Sequence, residues 1–103
     1  MYRIGVDLTN IKRFENVKNS FIKRVLSPGE LDEYQKIELI ESKIRFLARS
    51  WAIKEAIYKA DNQYADFRKI NLVKQNHIWT FKDFAISISY EGDFIIAFVV
   101  KEN

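Results

Sequence analysis

The chain is 103 residues long, with 48% hydrophobic residues, 30% charged residues and a formal net charge of +3. This length and composition predict one globular domain, residues 1–103, and exclude a disordered chain. The absence of cysteine excludes disulfides and thiolate metal sites and favours a cytoplasmic location, and no apolar run is long enough to span a bilayer. The first ten residues lack the pattern of a signal peptide.

The first predicted elements are a strand and a basic helix. Tyr2 to Leu8 is an apolar segment typical of a short buried strand. Thr9 or Asn10 can cap a helix, and apolar residues follow at helical spacing as far as Phe21. Five basic residues and one acidic residue lie between Asn10 and Arg24. This charge indicates an acidic protein, a phosphate-bearing ligand or nucleic acid as a partner, and an ordinary solvated helix face is the alternative.

Two further helices are predicted in the middle of the chain. Ser27, Pro28 and Glu30 provide the N-cap, the first residue and the third-position acid of a capping box. The helix that they begin should run from Pro28 to about Lys36. A longer helix is predicted from Glu41 to Ala60, and because it is apolar on two sides it should be the central helix of the domain.

The last third of the chain changes to the period of two that is typical of strands. Short strands are predicted at Ile70–Lys74 and Ile78–Phe81. A hairpin is predicted from Phe84–Tyr90 and Phe94–Lys101, joined by a turn that contains Gly92. The predicted fold is therefore α+β, a single domain with an N-terminal strand, three helices and a C-terminal antiparallel β-sheet.

Two acids occupy positions where the pattern requires an apolar residue. Asp7 ends the apolar first strand, and Glu55 falls on the core-facing stripe of the central helix. A buried carboxylate is costly unless a positive group meets it. In a purely structural interpretation, Glu55 pairs with Lys59 one helical turn later and Asp7 only begins the cap of the next helix.

A functional interpretation is that Asp7 and Glu55 together hold a divalent cation. Mg²⁺ takes oxygen ligands and is often held by one or two carboxylates together with substrate phosphates. Lys54 and Lys59 flank Glu55 in sequence and would suit a phosphate-bearing substrate. The pattern predicts a site for metal and phosphate without identifying the substrate.

The two acids lie in segments that resemble a known signature. IGVD at Ile4–Asp7, followed after 43 intervening residues by WAIKEAIYK at Trp51–Lys59, resembles the two-part signature of the phosphopantetheinyl transferases. The segments FIKRVLSPGEL, RFLARSWAIKEA and ISISYEGDFIIAFVV are similar to segments of the small, single-domain branch, the holo-acyl-carrier-protein synthases. The similarity covers nearly the whole chain and is weakest between Asp61 and Phe84.

The resemblance implies an activity and a set of site residues. The implied reaction transfers 4′-phosphopantetheine from coenzyme A to a serine of apo-acyl carrier protein and releases 3′,5′-ADP. Asp7 and Glu55 would ligate Mg²⁺. Lys59 would contact the coenzyme A pyrophosphate or assist deprotonation of the serine, and Lys54 would help to hold the nucleotide.

The resemblance also implies protein partners. Arg13, Val17 and Arg24 match the positions at which the first helix of the family meets the acyl carrier protein. The family usually forms a homotrimer with active sites between subunits, and the hairpin would supply the threefold contact. Neither nucleic acid nor a membrane is an implied partner. The alternative is a non-catalytic basic module that binds nucleic acid or an acidic protein through the same first helix.

The sequence departs from the family pattern in three places. Many members have a glycine-rich turn after the position of Lys59, whereas this chain has none in Ala60–Tyr64. The stretch before the hairpin is shortened around Lys82–Asp83, and Tyr90 replaces a histidine that many relatives place near coenzyme A. We therefore expect the nucleotide contacts to differ. With no cysteine and no second histidine in the chain, His77 is not expected to bind a transition metal.

Overall fold

A long helix packs against a three-stranded antiparallel sheet in the computed structural model, which describes residues 1–103. The elements in chain order are β1 (Tyr2–Asn10), a 3₁₀ turn (Ile11–Phe14), α1 (Asn19–Val25), α2 (Pro28–Lys36), α3 (Ile40–Ala60), a second 3₁₀ turn (Phe67–Lys69), β2 (Val73–Gln75), β3 (Ile78–Thr80), β4 (Ala85–Glu91) and β5 (Phe94–Glu102). The predicted α+β class, with three helices and a closing hairpin, is confirmed. None of the helices combines the length and apolar composition that a membrane crossing requires.

The main sheet has β5 in its centre, antiparallel to β1 on one side and to β4 on the other. Side chains alternate between its two faces. The inner face carries Asp7 of β1 opposite Ala97 of β5, both buried. Asp7 is thus held by the strand pairing at a fixed position on the face that meets the helices.

The turn between β4 and β5 is formed by Gly92 with a φ of 57°, a conformation that glycine adopts without strain.

The helix α3 lies very close to β1. A Cβ atom built on Gly5 would lie only 1.8 Å from the carbonyl oxygen of Ala56, so the strand and the helix touch through their backbones. The small side chains of Ala52, Ala56 and Ala60 are buried and permit this approach. The contact brings the end of β1, which carries Asp7, beside the second half of α3.

The prediction of one continuous basic helix after β1 is wrong in its extent. Asn10 does act as a cap, with its side chain accepting a hydrogen bond from the Lys12 amide at 3.0 Å, but the cap begins only a short 3₁₀ turn. The rings of Phe14 and Phe21 lie 6.1 Å apart, and both contact the Trp51 ring. In one continuous α-helix, residues seven apart are separated by about 10 Å along the axis, so a break favours this aromatic cluster.

The predicted strands before the hairpin are only partly correct. Ile70 is fully buried, but pairing between β2 and β3 begins at Val73, and β3 ends at Thr80. Side-chain burial rather than strand pairing therefore explains the apolar residues at the start of this segment. The two strands form a separate ribbon whose turn, Asn76 and His77, has positive φ at both residues.

Candidate active site

The Asp7 carboxylate is fixed by two hydrogen bonds, one from Lys59 on α3 and one from Thr9 on the same strand. Lys59, in the last turn of α3, donates to Asp7 Oδ1 at 3.0 Å and to the Val6 carbonyl oxygen at 3.1 Å. Thr9 Oγ1 donates to Asp7 Oδ2 at 2.5 Å. Because Asp7 is only 9% exposed, these donors offset the cost of burying its charge. The intrahelical pair between Glu55 and Lys59 is not formed, since the Lys59 ammonium pairs with Asp7.

Glu55 is the other acid of the candidate site, and none of the five ion pairs of the protein includes it. Its side chain is half-buried on α3. Burial raises the pKa of Glu55, and the charge of Asp7 raises it further, while Lys59 and Arg13 oppose the shift. Two carboxylates that repel each other in this way form a place where a cation would be stabilised. No third acid, histidine or cysteine joins them.

A pocket of about 660 Å³ opens beside Glu55. Its walls come from α1, α3 and the segment around the second 3₁₀ turn, and the lining residues are Phe21, Arg24, Val25, Trp51, Glu55, Ala65, Asp66, Phe67 and Arg68. The Trp51 ring meets the Phe67 ring edge-on, with centroids 5.6 Å apart. Trp51 therefore belongs both to the aromatic cluster and to the pocket wall. Arginines beside aromatic rings suit a ligand that is anionic in one part and apolar in another.

Lys54 lies elsewhere than the prediction placed it. Its side chain is completely buried, and its ammonium donates to Glu30 Oε1 at 2.5 Å, to the Val25 carbonyl at 2.7 Å and to the Phe67 carbonyl at 2.9 Å. Burial lowers the pKa of Lys54, and the ion pair with Glu30 opposes that effect. Lys54 is predicted to help to hold the nucleotide, and this arrangement leaves no ammonium donor for a direct contact, because all three are used inside the protein.

The residues predicted to dock a carrier protein lie on three pieces of chain instead of one helix. Arg13 is in the first 3₁₀ turn, Val17 in the following link and Arg24 in α1. The Arg13 guanidinium lies 5.9 Å from the centre of the Trp51 ring, and Arg24 lines the pocket beside Glu55. Both arginines thus border the candidate site, while Val17 packs against the core.

Sequence reasoning missed several residues of this site. Thr9 could have been found, because a strand period of two places it on the same face as Asp7. Glu30 was identified only as a helix cap, although it also holds Lys54. Asp66 and Arg68, which form an ion pair at 3.3 Å on the pocket wall, carry no recognisable sequence signal.

The structure shows which contacts or backbone conformations occur at the three departures from the family pattern. In the turn after α3, Asp61 accepts hydrogen bonds from the backbone and side chain of Gln63, which lower its pKa. The Tyr90 ring lies under the Arg45 guanidinium, 4.9 Å away. The shortened stretch contains Lys82, which has a positive φ.

The outer face of the main sheet is apolar and exposed. Its large residues are between 42% and 63% exposed. They are Tyr2, Ile4, Val6, Leu8, Phe94, Ile96 and Phe98. On β4, Ser87 and Ser89 lie on this face, opposite Phe98 and Ile96 respectively. A contiguous apolar surface of this kind is unusual on a monomer.

Comparisons with known proteins agree with the geometry. A family model described as the 4′-phosphopantetheinyl transferase superfamily matches residues 3–99. The holo-[acyl-carrier-protein] synthase of Mycoplasma mobile is 54% identical over 100 residues, which cover 97% of this chain and 89% of the relative. That of Mycoplasmopsis pulmonis is 49% identical over 98 residues, covering 95% and 88%. The structure of a holo-(acyl-carrier-protein) synthase from Bacillus anthracis in complex with CoA (3′,5′-ADP) matches with a TM-score of 0.80 at 25% identity, covering 95% of this chain and 93% of that one.

Proposed function

Because the chain belongs to the 4′-phosphopantetheinyl transferase superfamily, we infer that it transfers 4′-phosphopantetheine from coenzyme A to a serine of apo-acyl carrier protein. One observation carries the inference, namely that 54% identity to a holo-[acyl-carrier-protein] synthase extends over 97% of the chain. In the reaction, the serine oxygen bonds to the phosphorus that carries pantetheine and the pyrophosphate bond breaks. The serine loses its proton, and 3′,5′-ADP leaves.

We propose that Asp7 and Glu55 hold Mg²⁺ when substrate is bound. The half-buried carboxylate of Glu55 forms no ion pair and lies in the field of Asp7, which fits a cation-binding role. Bound there, Mg²⁺ would neutralise charge on the pyrophosphate of coenzyme A. Thr9 and Lys59 keep the Asp7 carboxylate oriented.

Lys59 is proposed to contact the substrate phosphates. Its side chain is 48% exposed although its ammonium is bonded to Asp7, so the same group can face both the protein and a ligand. An ammonium at that position would stabilise charge on the transferred phosphoryl group and on the leaving nucleotide. Assistance in deprotonating the serine is the alternative role, and it would appear as an added limb in the pH–rate profile.

The acidic carrier protein is proposed to dock beside the pocket. Arg13 and Arg24 border the site on the side of the aromatic cluster, and Val17 lies between them in sequence. Basic side chains at the rim of a contact accelerate association with an acidic partner and orient it. The serine would then be presented near Glu55 and Lys59.

We also propose that the chain assembles as a homotrimer through the outer face of the sheet, with active sites between subunits. The support is the exposed apolar surface that includes Val6 and Phe98. Sedimentation velocity of the wild-type protein and of Phe98→Lys would detect the assembly and its loss. The cytoplasmic location expected from the lack of cysteine stays a prediction.

The transfer itself is tested by incubating the protein with coenzyme A, Mg²⁺ and apo-acyl carrier protein. The proposal predicts that intact-protein mass spectrometry shows the carrier gaining one phosphopantetheine group. It also predicts no gain when coenzyme A or Mg²⁺ is omitted. An unmodified carrier after incubation with folded protein would overturn the proposal.

A further inference from the structure

Lys54 and Glu30 form a buried ion pair that the proposed reaction does not use. Lys54 is 0% exposed and Glu30 is 3% exposed, and their charged groups lie 2.5 Å apart. Replacing such a pair by apolar side chains is often neutral for stability or even stabilising, so stability alone does not account for it. The backbone groups that bond to the two charged side chains suggest a more specific role for the pair.

The Lys54 ammonium bonds to carbonyl oxygens of two separate pocket walls. One is Val25, the last residue of α1, and the other is Phe67, the first residue of the second 3₁₀ turn. Both residues line the pocket beside Glu55. Since Lys54 directly precedes Glu55 in α3, one side chain links the helix that carries the acid to two walls of its pocket.

Glu30 extends the link to the next segments. Its Oε1 accepts from the Ser27 amide at 2.9 Å, and its Oε2 accepts from the Leu72 amide at 2.7 Å. The start of α2 and the chain leading to β2 are therefore joined to Lys54 through one carboxylate. No buried side-chain polar atom in the protein lacks a partner, so the network is complete.

We propose that Lys54, held by Glu30, is a positioning residue that fixes the distance between the α1 wall and the Phe67 wall of the pocket. The inference rests on the proposed function, because it takes this pocket as the site that receives coenzyme A. Lys54 touches no substrate. It acts by keeping Arg24 and Arg68, which neighbour the two bonded carbonyls, at a fixed separation. Loosening of either wall should weaken coenzyme A binding more than it slows the chemical step.

Two variants separate positioning from stability. Lys54→Met leaves Glu30 as an unpaired buried charge, so it should lower the stability of the protein. It also removes the three donors, so it should loosen the two pocket walls. Glu30→Gln/Lys54→Met removes both charges and should regain much of the lost melting temperature. In the double variant, however, the carbonyls of Val25 and Phe67 still lack their common donor. Ile57→Ala, at a fully buried position of α3 outside the pocket lining, is the control for destabilisation alone.

Amide hydrogen exchange and coenzyme A binding are measured on each variant. In the double variant, the backbone amides of residues 65–70 and of the end of α1 should still exchange faster than in wild type. Its dissociation constant for coenzyme A should be raised roughly tenfold or more. Its kcat at saturating substrate should stay within about threefold of wild type, and Ile57→Ala should leave the dissociation constant unchanged. If Lys54→Met does not fold, the double variant alone is compared with wild type and with Ile57→Ala.

Recovery of exchange protection and coenzyme A affinity together with the melting temperature would overturn the inference, because Lys54 would then have only a structural role. Unchanged exchange at 65–70 in both variants would overturn it as well. Failure of the proposed function has a different signature, in which wild-type protein neither transfers the group nor binds coenzyme A. The exchange measurement still decides in that case whether Lys54 orders the pocket walls.

Discussion

The Lys59 ammonium lies 3.0 Å from the Asp7 carboxylate and joins the last turn of α3 to β1 across 52 residues of sequence. The same ammonium bonds to the Val6 carbonyl. An ion pair that is partly open to solvent stabilises a fold only slightly. Because Lys59 also lies beside Glu55, we expect this ion pair to contribute to the candidate site more than to the stability of the domain.

Lys59→Met should reduce transfer strongly without unfolding the protein. Loss of a charge that stabilises the transferred phosphoryl group typically costs about a hundredfold or more in kcat. The control is Lys101→Met, which also breaks an ion pair between a lysine and a buried aspartate, that of Lys101 with Asp61 at 3.6 Å. Steady-state transfer rates and melting temperatures of both variants check the prediction. Equal loss of activity in the two variants would contradict it.

Gly5→Ala should be among the most destabilising single methyl additions in the chain. The added carbon would lie 1.8 Å from the Ala56 carbonyl oxygen, so β1 and α3 must move apart. Overpacking of this kind costs about 1–3 kcal/mol or more, and the movement also separates Asp7 from Lys59. Urea denaturation measures the free energy of unfolding. Gly29→Ala, whose added carbon meets only the Asn71 side chain at 3.1 Å, is the matched control and should change little.

Glu55 should make the metal-free protein less stable as the pH rises. Burial and the Asp7 charge raise the pKa of Glu55 in the folded state, so the folded protein binds this proton more tightly than the unfolded chain does. The corresponding stabilisation is complete below the unfolded carboxyl pKa of about 4.3 and is lost as the pH rises through the higher folded value. Glu55→Gln should remove this part of the pH dependence. Melting temperatures in EDTA between pH 4 and 7 would refute the assignment if both proteins gave parallel curves.

Arg24→Glu should weaken binding of the carrier protein. Reversing a charge at the rim of an acidic partner's contact lowers the association rate, and the loss should be largest at low ionic strength. Because Arg24 also lines the pocket beside Glu55, the rates are measured at saturating coenzyme A. The expected result is a raised KM for the carrier protein that depends on salt, with a smaller change in kcat. Lys36→Glu, an exposed change at the far end of α2, serves as the control. A KM that rises equally in both variants would argue against docking at α1.

The sequence predicted those parts of the fold that depend on local chemistry. The capping box of Ser27 and Glu30 placed α2 at its observed bounds, because both partners lie within one turn. Asp7 and Glu55 are candidates for the site because acids break an apolar pattern, and their role stays a prediction. The partner of Lys54 was not found, since adjacency to Glu55 does not tell which way a lysine points, and Glu30 is 24 residues away. The break of the first helix likewise depends on Trp51, a tertiary contact.

The most direct test of the central claim compares wild type, Asp7→Asn and Glu55→Gln in Mg²⁺-dependent labelling of apo-acyl carrier protein by coenzyme A. Both substitutions keep the size of the side chain and remove one charge from the proposed cation site. We predict that each variant folds, as judged by circular dichroism, and transfers no detectable phosphopantetheine at any Mg²⁺ concentration. Transfer by both variants at the wild-type rate and Mg²⁺ dependence would contradict the assignment of Asp7 and Glu55 as the metal ligands.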